Sequence, residues 1–345
     1  MRVLMTGHDG YIGTVMTPML QRAGHEVVGL DSCLFRPCLH GAPVPPVEEV
    51  RRDLRDVSAD DLRGIDAIVH LAALSNDPLG DLAPEHTHDI NHHASTRLAE
   101  LAKDAGVRRF LYSSSCSVYG AADTTVLVDE SAPLAPVSAY AQSKVAVEAD
   151  LASLADDRFT PVYLRNATAY GWSPRLRLDL VLNDLVATAV LTGEILVLSD
   201  GTPWRPLVHI EDISRAFLSA LEAPAEDVHD RAFNVGTEAD NHQVSGLAAI
   251  VADVVPGSTI RITGEAGGDP RSYRVSFDRI RRELPTFDPR WDARRGAEQL
   301  RDRFREHGLA PEHRAFTYRR IAWLQSLIDE GRVDDHLRWR DEPVS

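Results

Sequence analysis

Tyr140 and Lys144 stand four residues apart in the stretch YAQSK. On a helix this spacing puts both side chains on one face. A free tyrosine hydroxyl titrates near 10, and a neighbouring ammonium favours the phenolate. The pair could therefore take a proton from an alcohol near neutral pH. Ser115 lies upstream, in YSSSCSVYG, at the end of an apolar run. Its hydroxyl could hydrogen-bond the same substrate oxygen. A second chemistry is written near the start. TGHDGYIG places Gly7, Gly10 and Gly13 between an apolar run and an amphipathic one. A turn of that kind, with Tyr11 and Ile12 in it, lets a pyrophosphate approach the backbone amides at a helix N-terminus. Asp31 closes the next apolar run and could accept hydrogen bonds from ribose hydroxyls. The same carboxylate would repel a 2′-phosphate, and Ser32 and Cys33 beside it bring no arginine. NAD is therefore expected rather than NADP.

These groups need elements to hold them. RVLMTG, HEVVGLD, DAIVHLAA, RRFLYSSS and FTPVYLRNA read as strands. YIGTVMTPMLQRAG, TRLAELAKDAG and SAYAQSKVAVEADLASLA read as helices between them. Strands alternating with helical patterns predict βαβ units and a doubly wound, Rossmann-type α/β fold with a parallel sheet. Asp53 and Leu54, in RDLRD, fall near the end of a further strand, where adenine would lie. Leu71, Ala72 and Ala73 end another with small side chains that leave room for a cofactor, and Asn91 precedes a helix. After residue 165 the rhythm loosens, and a smaller C-terminal domain is expected to hold the substrate. The expected division is 1–165 for the dinucleotide domain, with 207–237 returning to it. Residues 166–206 and 238–320 form the substrate domain, and 321–345 a charged helix and surface tail.

The 345 residues are 43% hydrophobic and 26% charged, as in an ordinary globular chain. Net charge is −15, which argues against a nucleic-acid partner but not against a phosphorylated small molecule. No run has the length of a membrane span, and the first residues enter a strand pattern with no leader-like segment. Cys33, Cys38 and Cys116 have no framework spacing, so a reducing, cytoplasmic setting is expected. The histidines of EHTHDINHH match no familiar ligand spacing, and no metal is expected.

TGHDGYIG, Asp31, SSSCSVYG, YAQSK and RPLVHIEDI together resemble the extended short-chain dehydrogenase/reductases of the nucleotide-sugar epimerase/dehydratase group, over roughly residues 1–290. The resemblance implies a tightly held NAD and a nucleoside-diphosphate sugar. It also implies a homodimer formed through helices near 92–105 and 140–155. It adds Ser113, Asn166 and Ala167 to the cofactor contacts. It places Arg205 on the substrate diphosphate, with Asn183, Asp184 and Leu185 on the diphosphate and nucleotide. Ser75 and Asn76 would border the sugar, as would Ser115, Cys116, Ser117 and Thr168. Two positions depart from the group's pattern. Thr168 stands where asparagine is common, and Ala266 replaces an arginine whose phosphate contact Arg271 could take over.

The resemblance also separates reactions. The 4,6-dehydratases carry an Asp-Glu pair after the catalytic hydroxyl residue; here Cys116 and Ser117 follow Ser115. A thiol titrating near 8.5 does no carboxylate chemistry at neutral pH. The expected activity is NAD-dependent epimerisation, at C4, through a transient 4-keto sugar. Tyr140 would serve as base, Ser115 would hold the oxygen, and Lys144 would tune the tyrosine and bind the nicotinamide ribose. A net reductase or dehydrogenase would use the same residues and stays open. A dehydratase or a non-catalytic dinucleotide sensor fits less well.

Overall fold

The fold is described here from a computed structural model, for residues 1–41, 43–75, 84–121, 123–264 and 272–340. Seven strands form the main sheet: β1 (Arg2–Thr6), β2 (Glu26–Asp31), β3 (Glu48–Arg51), β4 (Ala67–His70), β5 (Arg109–Ser115), β6 (Thr160–Asn166) and β7 (Arg231–Val235). Their order is β3-β2-β1-β4-β5-β6-β7, and every neighbouring pair is parallel. The order reverses between β1 and β4, and such a switch point opens a crevice at the C-terminal strand ends. The doubly wound α/β sheet expected from the sequence is therefore present.

Alternation along each strand loads both faces. Val3 and Met5 of β1 and Leu111 of β5 join one core, packed by Met16, Leu20 and Phe217 from helices Gly13–Arg22 and Ile210–Glu222. Leu4, Phe110 and Tyr112 join the other, packed by Leu98, Val147 and Leu151 from helices Ala94–Asp104 and Ala139–Leu154. Strands buried on both sides read as unbroken apolar runs, and these do.

A third core gathers helices Val181–Thr192, Val244–Val254 and Ala293–Glu306 beside short sheets, one made of Asn241–Gln243, Trp204–His209 and Thr168–Tyr170. The segment read as a surface tail does something else. Helix Arg320–Asp329 and the chain after it bury Leu324, Leu327, Val333 and Leu337 against Leu34 and Leu74, which follow β2 and β4. Trp323 Nε1 donates to the Leu34 carbonyl at 2.8 Å, and Trp339 Nε1 to the Ser32 carbonyl at 2.7 Å. Among the described residues no helix is long and apolar enough to cross a membrane.

Three buried histidines tie these layers together as neutral rings. His70 bridges Thr6 Oγ1 (2.6 Å) and Ser95 Oγ (2.7 Å). His209 takes the Glu211 amide and meets Gln299 at 2.9 Å, and His40 contacts the Trp172 indole nitrogen. Burial pushes His70 down to about 3 and the other two down to about 4. The unfolded chain protonates near 6.5, so it binds more protons than the folded one between that value and the folded pKa values. The stabilisation from the neutral rings is complete above pH 6.5 and is lost as pH falls through 6 to 4, by about 1.4 kcal/mol per pH unit for each ring. Thermal melts across that window should show Tm falling steeply below 6.5, and His70→Asn should flatten the slope. A slope identical to the parent's would contradict this.

Candidate active site

A cavity of about 900 Å³ opens at the C-terminal ends of the strands, over the switch point. The glycine turn forms one wall. Gly7 has φ +76°, and a Cβ there would come 2.8 Å from the Ala72 amide nitrogen. A Cβ on Gly13 would sit 2.3 Å from the Gly7 carbonyl oxygen. Only glycine lets β1, β4 and the following helix meet this closely. Helix Gly13–Arg22 has no acid in its first turn and no side-chain cap. Tyr11, Ile12 and Gly13 line the cavity, so the positive end of that helix faces it.

Asp31, at the end of β2, receives the Cys33 amide on one oxygen (2.7 Å) and the Asp9 amide on the other (3.2 Å). Burial raises its pKa, against these bonds. Asp53 caps a short turn after β3 and takes three donors of Arg55, while its neighbour Arg52 pairs with Asp61. Asp31, Asp53, Leu54, Leu71, Ala72 and Ala73 all line this end of the cavity.

The tyrosine, lysine and serine singled out in the sequence lie across the sheet. Ser138 caps helix Ala139–Leu154 by taking the Ala141 amide, which fixes Tyr140 in the first turn and Lys144 one turn on. The Lys144 ammonium lies 5.5 Å from the Tyr140 ring centroid and 4.7 Å from that of Tyr112, and donates to the Ser113 carbonyl at 2.7 Å. Desolvation lowers its pKa to about 7, with Glu148 opposing the shift. Ser115 takes the Ser117 amide at 3.1 Å and faces the cavity beside Tyr140, Lys144 and Ser113. Asn166, at the end of β6, donates to Ser113 Oγ and the Ser114 carbonyl, and Ala167 and Thr168 continue the wall. Beneath, the buried Glu148 takes Ser114 Oγ (2.5 Å) and pairs with Arg165 (2.6 Å).

The sequence profile of the NAD dependent epimerase/dehydratase family matches residues 3–236. The chain belongs to this family. The UDP-glucose 4-epimerase of Mycolicibacterium smegmatis is 31% identical over 301 residues, 82% of this chain and 92% of that one. The solved structure of DesIV, a dTDP-glucose 4,6-dehydratase from Streptomyces venezuelae with NAD and TYD bound, superposes with a TM-score of 0.77 at 26% identity, covering 91% of this chain and all of that one. MoeE5 in complex with UDP-glucuronic acid and NAD gives 0.76 at 29% identity, covering 89% and 99%. Family members with both kinds of named activity are thus similar to this chain to much the same degree.

Of the residues that the resemblance assigns to the substrate, Ser75, Thr168, Asp184 and Arg205 line the cavity. Asn76, Ala266 and Arg271 lie outside the described residues. Five other expected contacts do not reach the cavity. Asn91 is buried and exchanges bonds with the backbone of Leu74, taking its N–H at 2.7 Å and donating to its carbonyl at 3.0 Å, so it holds that segment in place. Cys116 turns its thiol under the floor to the Arg165 carbonyl, where desolvation drives its pKa far up. Ser117 is buried beside it. Asn183 binds the Gly171 amide, the Tyr11 hydroxyl and the Arg177 carbonyl. Leu185 packs in the third core.

Several lining residues were not foreseen. Arg177 binds both oxygens of Asp179 (2.9 and 3.0 Å) and the Ser75 hydroxyl (3.0 Å). Arg319, with Arg314, holds Asp184. Phe35, Tyr273, Arg320 and Gln325 complete the wall. In RLRLD both leucines and both arginines are buried, so only the two-residue spacing of Arg177 and Asp179 hints at their pairing.

Proposed function

We propose that this chain is an NAD-dependent epimerase of a nucleoside-diphosphate sugar, acting at C4 through a transient 4-keto sugar. The observation that carries the reading is the absence of a carboxylate next to Ser115 among the described residues. Cys116 and Ser117 are buried below the floor. Asp179 is engaged by Arg177, and Asp184 by Arg314 and Arg319. Among the described residues no carboxylate acid and base for loss of water are at hand there, whereas epimerisation at one carbinol carbon needs only the proton acceptor Tyr140.

The residues present fit a dinucleotide. Side-chain-free positions at Gly7, Gly10 and Gly13 and the open helix end suit its pyrophosphate, and Asp31 suits a ribose diol. A bound nicotinamide supplies a reversible hydride acceptor. Tyr140 removes the proton of the sugar hydroxyl and later returns it, and Lys144 stabilises the phenolate. Ser115 hydrogen-bonds the same oxygen and limits its movement while the ring turns over. Arg205 offers a planar guanidinium to the substrate diphosphate. The relatives' names, UDP-glucose 4-epimerase among them, point to the same substrate class. A homodimer through the faces of helices Ala94–Asp104 and Ala139–Leu154 belongs to the same proposal.

Incubation with UDP-, GDP-, dTDP-, CDP- and ADP-sugars, without added NAD, tests it. The expected result is a C4 epimer seen by NMR with flat absorbance at 340 nm. Absorbance rising with turnover would identify a dehydrogenase instead, and a 4-keto-6-deoxy product a dehydratase.

A further inference from the structure

The strongest unexplained feature is a buried cation contributed by the C-terminal segment. Arg320 opens helix Arg320–Asp329, beyond the residues matched by the family profile, and lines the cavity while only 3% exposed. Neighbouring arginines are engaged by acids: Arg175 by Asp9, Arg177 by Asp179, Arg319 by Asp184. Arg320 differs. Its Nη2 donates to the Arg175 carbonyl at 3.1 Å, and Nη1 is buried with no hydrogen-bond partner among the described residues. Its guanidinium lies 4.1 Å from the centroid of the Phe35 ring. Arg175, Arg177 and the Cys38 thiol surround it, and Asp179 acts on it only through space. Desolvation lowers its pKa to about 10, so the cation is held at a cost.

A buried guanidinium with an open donor is expensive unless an anion meets it. Two neighbours indicate where that anion sits. Tyr11 belongs to the glycine turn and lies within electrostatic reach of Arg320. Phe35 follows Asp31 on the adenosine side of the cavity. The glycine turn itself brings backbone amides, and its one basic side chain, His8, is buried toward Glu49 and does not line the cavity. We propose that Arg320 binds the diphosphate of the dinucleotide from the side opposite the glycine turn, so that the C-terminal segment is part of the cofactor site. The proposal rests on the reading of the cavity as a dinucleotide site. The substrate diphosphate offers the same chemistry, and the test separates the two.

The cofactor-stripped full chain is titrated calorimetrically with ADP-ribose, adenosine and UDP-glucose, in the parent and in Arg320→Met and Arg320→Lys. Loss of a charge-assisted bond predicts ADP-ribose affinity 10- to 100-fold weaker in Arg320→Met, on the order expected for such bonds. Adenosine and UDP-glucose should be unaffected. Arg320→Lys keeps the charge without the planar fork and should lose about 3- to 10-fold, which serves also if the methionine variant fails to fold. Melting of the stripped Arg320→Met protein should be no lower than the parent's, because an unpaired buried charge is gone. Unchanged ADP-ribose affinity would overturn the proposal. So would equal losses for adenosine and ADP-ribose with a lowered melting point, which mark a structural role, and so would a loss confined to UDP-glucose. A parent that binds neither NAD nor ADP-ribose refutes the dinucleotide reading itself, and the proposal with it.

Discussion

Tyr140→Phe should lower kcat by about 10²- to 10⁴-fold, the range for loss of a positioned proton-transfer group, while NAD affinity stays within a few-fold of the parent's. The aromatic ring is kept, so the packing beside Lys144, 5.5 Å from the ring centroid, is kept too. The Ser138 cap bonds the Ala141 amide and does not depend on the hydroxyl. What is lost is the atom proposed to accept the sugar proton. Lys144→Met should lose turnover as well, but with a different signature. The ammonium is buried and its pKa is lowered by desolvation, so its removal relieves a cost and should leave thermal stability at or above the parent's. Steady-state rates on the best substrate of the sugar panel, with NAD titrations and melting curves, check both. A Tyr140→Phe enzyme with near-parent kcat would remove Tyr140 from the proposed chemistry.

Glu148→Ala should lower the free energy of unfolding by about 3–5 kcal/mol, the range seen when one partner of a buried ion pair is removed. Glu148 and Arg165 are both largely buried, with a shortest contact of 2.6 Å. Glu148 also accepts Ser114 Oγ, and Arg165 reaches the Tyr119 hydroxyl at 3.1 Å. Alanine would leave the guanidinium uncompensated and release Ser114, whose neighbours on either side bond Lys144 and line the cavity. Replacing both partners, as in Glu148→Leu with Arg165→Leu, removes the charges together and should be less damaging than Glu148→Ala. Urea unfolding of the singles and the double gives the coupling directly. Equal or additive losses would show that the pair is not what holds this floor together.

The parts of the site legible in the sequence are those written in short, local patterns. The glycine turn is a strand, a turn and a helix in one stretch, and its spacing is dictated by contacts at Gly7 and Gly13. Tyr140 and Lys144 are related by one helical turn, which the helix reproduces. Direction was harder to read. Ser115 faces the cavity while Cys116 and Ser117 turn under it, because a 3-10 turn begins at Cys116 and reorients successive side chains. On the largely apolar helix Val181–Thr192, periodicity could not decide between adjacent polar residues. Asn183 faces inward and Asp184 the cavity. Arg320 could not be read at all, since its carbonyl partner is 145 residues away in sequence.

The indole bonds from Trp323 to Leu34 and from Trp339 to Ser32 span 289 and 307 residues of chain. Contacts of that reach close very long loops, and their entropy must be met before they return any stability. Most strands of the sheet are joined through shorter βα connections, whose closure does not depend on those contacts. The cavity wall built by the C-terminal segment is therefore expected to close after the sheet has formed, and the fluorescence of Trp323 and Trp339 would report that step as a late phase.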